Sequence, residues 1–212
     1  MSTGRPPQAL KFAVTDDDDE LARAEVYGLL AQLFHAPPDA ALHAQFQVAV
    51  TAAPVSGAFL EHSWGELVAA ARRLDRAAIG REFDALFQGI GKPEVFLFAS
   101  FHLAGRLNEK PLVELRHALR ALGLEAAAET GVTEDHIASE CEVMRFLIAG
   151  DDAGTSNLAT QRRFFDAHLR PWVDALCDAI EAQPGADFYR AAARFARDFF
   201  AVEGEGFDLL DA

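Results

Sequence analysis

The residues best suited to chemistry in this sequence are the consecutive acids and imidazole Glu134-Asp135-His136. Carboxylates accept charge-assisted hydrogen bonds from arginine, and an imidazole adjusts its charge near neutral pH. Such a trio edging an apolar surface suits the capture of a cationic segment; it holds no nucleophile. Acids in a first helical turn are also common caps, and capping alone accounts for two of the three. Seven histidines raise the question of a metal, yet no two stand four apart and there is no Cys-x-x-Cys pair. His136 and Glu140 supply only two ligands on one helical face, fewer than a zinc site needs. Glu114-Leu115-Arg116-His117 has the Glu-x-x-His spacing of helical di-iron sites, which require a second copy that is missing. Ser56-Gly57 lacks the Gly-x-Ser-x-Gly elbow, and Gly89-Ile90-Gly91-Lys92 is only half of a phosphate loop. No catalytic residue, metal, cofactor or nucleotide is assigned, and the sequence reads as a binding protein, not an enzyme.

Charge points the same way. Lys and Arg number 19 against 33 Asp and Glu, a formal net charge of −14. Nucleic acid and anionic lipid would be repelled and a basic partner attracted. No stretch approaches the roughly 18–20 uninterrupted apolar residues that span a bilayer, and Met1–Val14 has too short an apolar run for a secretory signal. Cys141 and Cys177 sit within apolar-periodic segments, as buried thiols in a reducing cytoplasm do. A cytoplasmic protein without stable membrane insertion is expected.

The elements that would position the acidic trio are helices. Residues 1–16 lack periodicity and predict a disordered arm, and Asp16-Asp17-Asp18-Asp19-Glu20 suits a helix N-terminus. Val26, Leu29, Leu30, Leu33 and Phe34 recur at helical spacing until Pro37-Pro38 ends them. A second helix is predicted from Asp39 to about Val50, a turn at Pro54–Gly57, and one or two helices from Trp64 to Phe87. Gly89–Pro93 breaks the pattern, and Val95-Phe96-Leu97-Phe98 allows a strand, although a helix running through Gly105 is preferred. An amphipathic helix over Glu109–Leu122 should end at a left-handed Gly123. The next should start near Thr133 with Ile137, Cys141, Met144 and Ile148 on its buried stripe and Glu140, Glu142 and Arg145 largely off it. Two more, Leu158–Ala182 and Ala186–Val202, complete the chain, the first kinked at Pro171 with His168 bonding a freed carbonyl. The fold class is all-α, a single-domain bundle of about nine to eleven helices over residues 17–205 with a tail at 206–212. Phe96 and Phe101 are expected in the core. Phe98 and His102, four apart, would share a helical face and contact an inserted peptide, and Tyr27 carries the same ambiguity between core and groove.

Four ordered motifs carry a resemblance: Phe83-Asp84-Ala85-Leu86-Phe87-Gln88-Gly89, then Gly105-Arg106-Leu107 to Leu115-Arg116, then Glu134-Asp135-His136. The last is Gln161-x-x-Phe164-Phe165-x-x-His168-Leu169-x-Pro171-Trp172. Together they resemble the TorD/DmsD/NarJ family of cytoplasmic molybdoenzyme maturation chaperones over roughly Leu21–Val202. The resemblance implies a TorD-like helical bundle whose partners are a twin-arginine signal peptide and the apo catalytic subunit of a molybdoenzyme, with export delayed until cofactor insertion is complete. It places the peptide site on Asp135 and His136, with Tyr27, Phe98 and His102 as further contacts and Glu134 as a neighbour. Two departures stand out: Val132-Thr133 where the family often has Glu-Pro, and Ala99-Ser100-Phe101-His102 where it often has Glu-Ser-x-Tyr. A monomer is the default expectation, and a domain-swapped dimer hinged at Gly123–Thr133 is the family's alternative. The competing readings are a permanent structural or assembly subunit of a membrane oxidoreductase complex and, behind it, a small helical metal-dependent enzyme.

Overall fold

The computed structural model describes residues 16–51, 60–89, 91–125, 131–152 and 154–211. The expected arm at residues 1–16 lies outside them apart from Asp16, as do the Pro54–Gly57 turn and residues 126–130 of the supposed hinge. Among the described residues there are ten α-helices: α1 Asp16–His35, α2 Ala40–Val48, α3 Glu61–Arg73, α4 Arg76–Phe83, α5 Ala99–Ala104, α6 Lys110–Ala121, α7 Ile137–Ala149, α8 Leu158–Phe164, α9 Val173–Glu181 and α10 Phe188–Asp208. Among the described residues there is no strand beyond one isolated antiparallel bridge, Phe98 to His136. None of the described helices is long and apolar enough to cross a membrane.

Local chemistry accounts for the helix ends. Asp39, Asp75 and Asn157 accept from the backbone N–H groups of Leu42, Ala78 and Thr160, which starts α2, α4 and α8. Gly105 (φ 74°) and Gly123 (φ 72°) take the left-handed conformation just after α5 and α6, where a Cβ would be strained. Wider π turns follow α4 at Asp84–Gln88 and α8 at Phe165–Leu169. The second runs into Pro171, which cannot donate to the ladder, and the helix breaks there before α9 resumes. Beside the break the carbonyl of His168 accepts from the Trp172 indole Nε1–H at 2.6 Å, so His168 takes part through its backbone and the donor is the indole.

The helices bury aromatic side chains against one another. α10 packs on α9 and α3, placing Phe195 against Trp64 and Phe199 against Tyr27, while α1 and α7 form the most extensive helix pair. α10 runs to Asp208, past the expected helix end at Val202, because Phe207 is buried and its ring packs at a tilt against Phe165. Tyr27 is likewise core and not groove: it is fully buried and donates its hydroxyl to Glu203 at 3.0 Å. Glu203 also receives Arg23 Nε at 2.7 Å and Nη2 at 2.9 Å, joining the start of α1 to the end of α10.

Removing the acceptor would strand a largely buried guanidinium and a buried hydroxyl. Glu203→Ala should therefore lower unfolding free energy by about 2–4 kcal/mol in urea titration. A loss below about 0.5 kcal/mol, the range of an exposed pair, would refute that anchor.

Candidate functional site

The acidic trio sits in a turn that leads into α7, and its backbone is stapled to the segment ahead of α5. Ala99 N–H donates to the Asp135 carbonyl at 2.8 Å, and Ile137 N–H donates to the Leu97 carbonyl at 2.9 Å. Phe98 is thus extended at the bridge, residues 95–97 are not helical, and α5 begins only at Ala99, not at Val95 as the preferred helix required. The continuous apolar run divides in the structure: Val95 and Leu97 are buried, while Phe96 and Phe98 are half-buried.

Asp135 is 0% exposed. One carboxylate oxygen accepts from Thr133 Oγ1 at 2.6 Å and the other from Ser100 N–H at 3.0 Å. It therefore caps α5, a helix distant in sequence, and its own helix α7 is capped by His136, whose Nδ1 accepts from Ala138 N–H at 3.1 Å. That bond puts the ring proton on Nε2. Burial, aided by nearby His35 and opposed by Asp135, lowers the His136 pKa to about 4. The expectation that His136 adjusts its charge near neutral pH is corrected: at 4% exposure it stays neutral there. Neither Asp135, His136 nor Tyr27 presents its side chain to solvent in this conformation.

Phe98 and His102 do not share a helical face, because Phe98 precedes α5 in extended backbone. The half-buried Phe98 ring meets the edge of His136 at a centroid distance of 5.0 Å. His102 stacks on Trp172 at 5.5 Å and donates from Nε2 to the Phe96 carbonyl at 2.7 Å; burial lowers its pKa. Trp172 in turn donates to Glu140 Oε2 at 3.1 Å. Glu140 is 1% exposed, and burial, with the Asp135 charge adding to it, pushes its pKa well up. Its expected position off the buried stripe fails for a simple reason: at about 100° per residue it lies only about 40° from Met144.

Glu134 is the member of the trio that faces open space. It lines a cleft of about 450 Å³ between the end of α1 (Ala31, Gln32, His35), the end of α6 and the residues after it (Leu119, Leu124, Glu125), and α7. α7 contributes Ser139, Glu142, Val143 and Phe146, the face opposite its buried stripe. The walls are apolar, Phe146 is 43% exposed, and Glu125, Glu134 and Glu142 supply the acid. Arg116 holds Glu134 through Nε at 2.9 Å and Nη2 at 2.8 Å, and that hydrogen bonding lowers the Glu134 pKa. Among the described residues no three His, Cys, Asp or Glu side chains are grouped to hold a metal ion. Sequence periodicity did not find Glu142, Val143 and Phe146. The available signal was an aromatic placed about 180° around α7 from Ile137.

Residues 57–178, more than half of the chain, match the family described as nitrate reductase delta subunit. The chain belongs to that family. The matched span carries the whole of α3 to α8, with the Asp135 bridge and the α6 and α7 walls of the cleft. Among similar proteins are Chaperone protein TorD of Vibrio cholerae serotype O1 strain El Tor Inaba N16961, 27% identical over 89% of this chain and 93% of the relative. The same chaperone from the Classical Ogawa strain is 26% identical over the same shares. These two alignments extend beyond the family span towards both ends of the chain.

The burial of His136 has a pH signature. A base whose folded pKa is depressed contributes stability above its unfolded pKa, near 6.5, which is lost as pH falls towards 4. His136→Asn keeps a capping acceptor and removes the titration. Between pH 7 and 4 the parent should lose about 3 kcal/mol more than this variant in parallel denaturation series. Parallel losses in the two proteins would contradict the assignment.

Proposed function

We propose that this protein is a maturation chaperone for a molybdoenzyme: it binds the twin-arginine leader and apo catalytic subunit and delays export until cofactor insertion is complete. The observation that carries the reading is the cleft between α1, α6 and α7, apolar along Leu119, Leu124, Val143 and Phe146 and edged by three carboxylates. A twin-arginine leader has the complementary order of groups, guanidinium charge followed by an apolar stretch. The relatives named as TorD chaperones and the family membership support the same role. A net charge of −14 would speed encounter with a cationic segment, and the apolar walls would supply residence time.

In this reading the site residues divide into contact and support. Glu134 belongs to the rim. Asp135 and His136 hold the turn that presents it, Phe98 and His102 brace that turn through His136 and Trp172, and Tyr27 fixes α1, one wall of the cleft. One chain supplies every residue named in the cleft, so a monomer suffices. Acting before export, the protein would work in the cytoplasm, where Cys141 and Cys177 remain buried thiols. The chemistry is binding without conversion, and no catalytic role is assigned.

Calorimetric titration with synthetic leader peptides of molybdoenzymes from the same genome tests the reading. Binding should weaken as salt is raised, and Phe146→Asp should weaken it about tenfold or more while leaving the helical circular dichroism intact. Failure of every leader to bind, or full affinity in Phe146→Asp, would defeat the proposal.

A further inference from the structure

The three acids of the cleft are not equivalent. Glu134 is gripped by Arg116 in three contacts of 2.8–2.9 Å, and its side chain is only 18% exposed. Glu142 is paired with Arg145 by one guanidinium nitrogen at 3.1 and 3.4 Å, three residues along the same helix, and both side chains are about half exposed. Glu125 is exposed and has no ion-pair partner among the described residues. Neither arginine lines the cleft; each reaches its carboxylate from outside.

These differences rank the acids as acceptors for an incoming guanidinium. A pair held by three contacts, with its carboxylate only 18% exposed, is harder to displace than an exposed i,i+3 pair, which contributes little and exchanges readily. Arg145 also has a place to go. Its stem lies across Gly28 of α1, with Cδ 3.1 Å from the position a Cβ would occupy there, so it rests on a neighbouring helix without needing Glu142.

We infer that Glu142 and Glu125 receive the leader's two arginines, with Arg145 the internal counter-ion that the first arginine displaces, while Glu134 stays with Arg116 as a fixed part of the wall. The inference rests on the proposed leader-binding function and adds its specificity determinants. Arg145 then acts as a gatekeeper against weakly cationic segments, since only a guanidinium that outcompetes it gains Glu142.

The test uses the full chain and a synthetic peptide of two consecutive arginines followed by about ten apolar residues, with a partner peptide in which both arginines are glutamine. Glu142→Gln should weaken the arginine peptide about tenfold and leave the glutamine peptide within about twofold. Arg145→Ala should tighten the arginine peptide several-fold. Glu205→Gln, which removes an equal charge at an exposed position of α10, controls for net charge and should change neither. Weaker arginine-peptide binding in Arg145→Ala, or an unchanged affinity in Glu142→Gln, overturns the inference while leaving the chaperone reading in place. Absence of any binding by the parent overturns both.

Discussion

The bridge between residues 97–99 and 135–137 is the constraint on which the site depends. Two backbone hydrogen bonds and the buried Asp135 carboxylate join a segment before α5 to the turn before α7, closing a connection that contains α5, α6 and the residues between. Without that closure α6 would have no fixed position relative to α7, and the cleft between them would have no defined width. Asp135 is well suited to the task because its two oxygens accept from donors on both sides, the Thr133 hydroxyl and the Ser100 backbone N–H. His136 adds the cap of α7 and an aromatic edge for Phe98. The acid–imidazole pair is thus structural machinery one layer behind the surface it shapes.

That layer continues away from the cleft. Behind the bridge, Glu140 accepts from Trp172 at the Pro171 break, and Trp172 stacks on His102 of α5. A buried carboxyl with a raised pKa is neutral more readily than an exposed one, which reduces the cost of keeping it beside the buried Asp135. The helix break, the α5 helix and the trio therefore form one packed unit. On the cleft side the electrostatics differ in kind: Glu125 and Glu142 are exposed enough to exchange partners, whereas Glu134 stays with Arg116. A binding surface built on this plan keeps its rigid hydrogen bonds inside and its exchangeable charges outside, in keeping with the proposed uptake and release of a leader segment.

Much of the helical plan was legible because it rests on local rules. Asp39 announces α2, Gly123 ends α6, Pro171 breaks the helix where a missing N–H demands it, and Pro37-Pro38 ends α1. The four ordered motifs likewise pointed to the family that residues 57–178 match. What stayed hidden depends on contacts between distant residues. Asp135 capping α5 across 35 positions leaves no periodic trace, and neither does the bridge that pairs Phe98 with His136. Tyr27 was ambiguous because a Tyr on an apolar stripe suits a core or a groove, and only Glu203, 176 residues away, decides it. The cleft itself was missed because Glu142 and Phe146 lie on the face that an amphipathic reading assigns to solvent.

The central claim is that a leader segment lies along the outer face of α7, with the Asp135–His136 turn supporting it from behind. Amide chemical-shift mapping of the labelled protein with a twin-arginine leader peptide tests that claim most directly. The account predicts the largest perturbations at Ala31, Gln32, His35, Ser139, Glu142, Val143 and Phe146. Perturbations centred instead on Phe98 to His102, with the outer face of α7 unmoved, would contradict it.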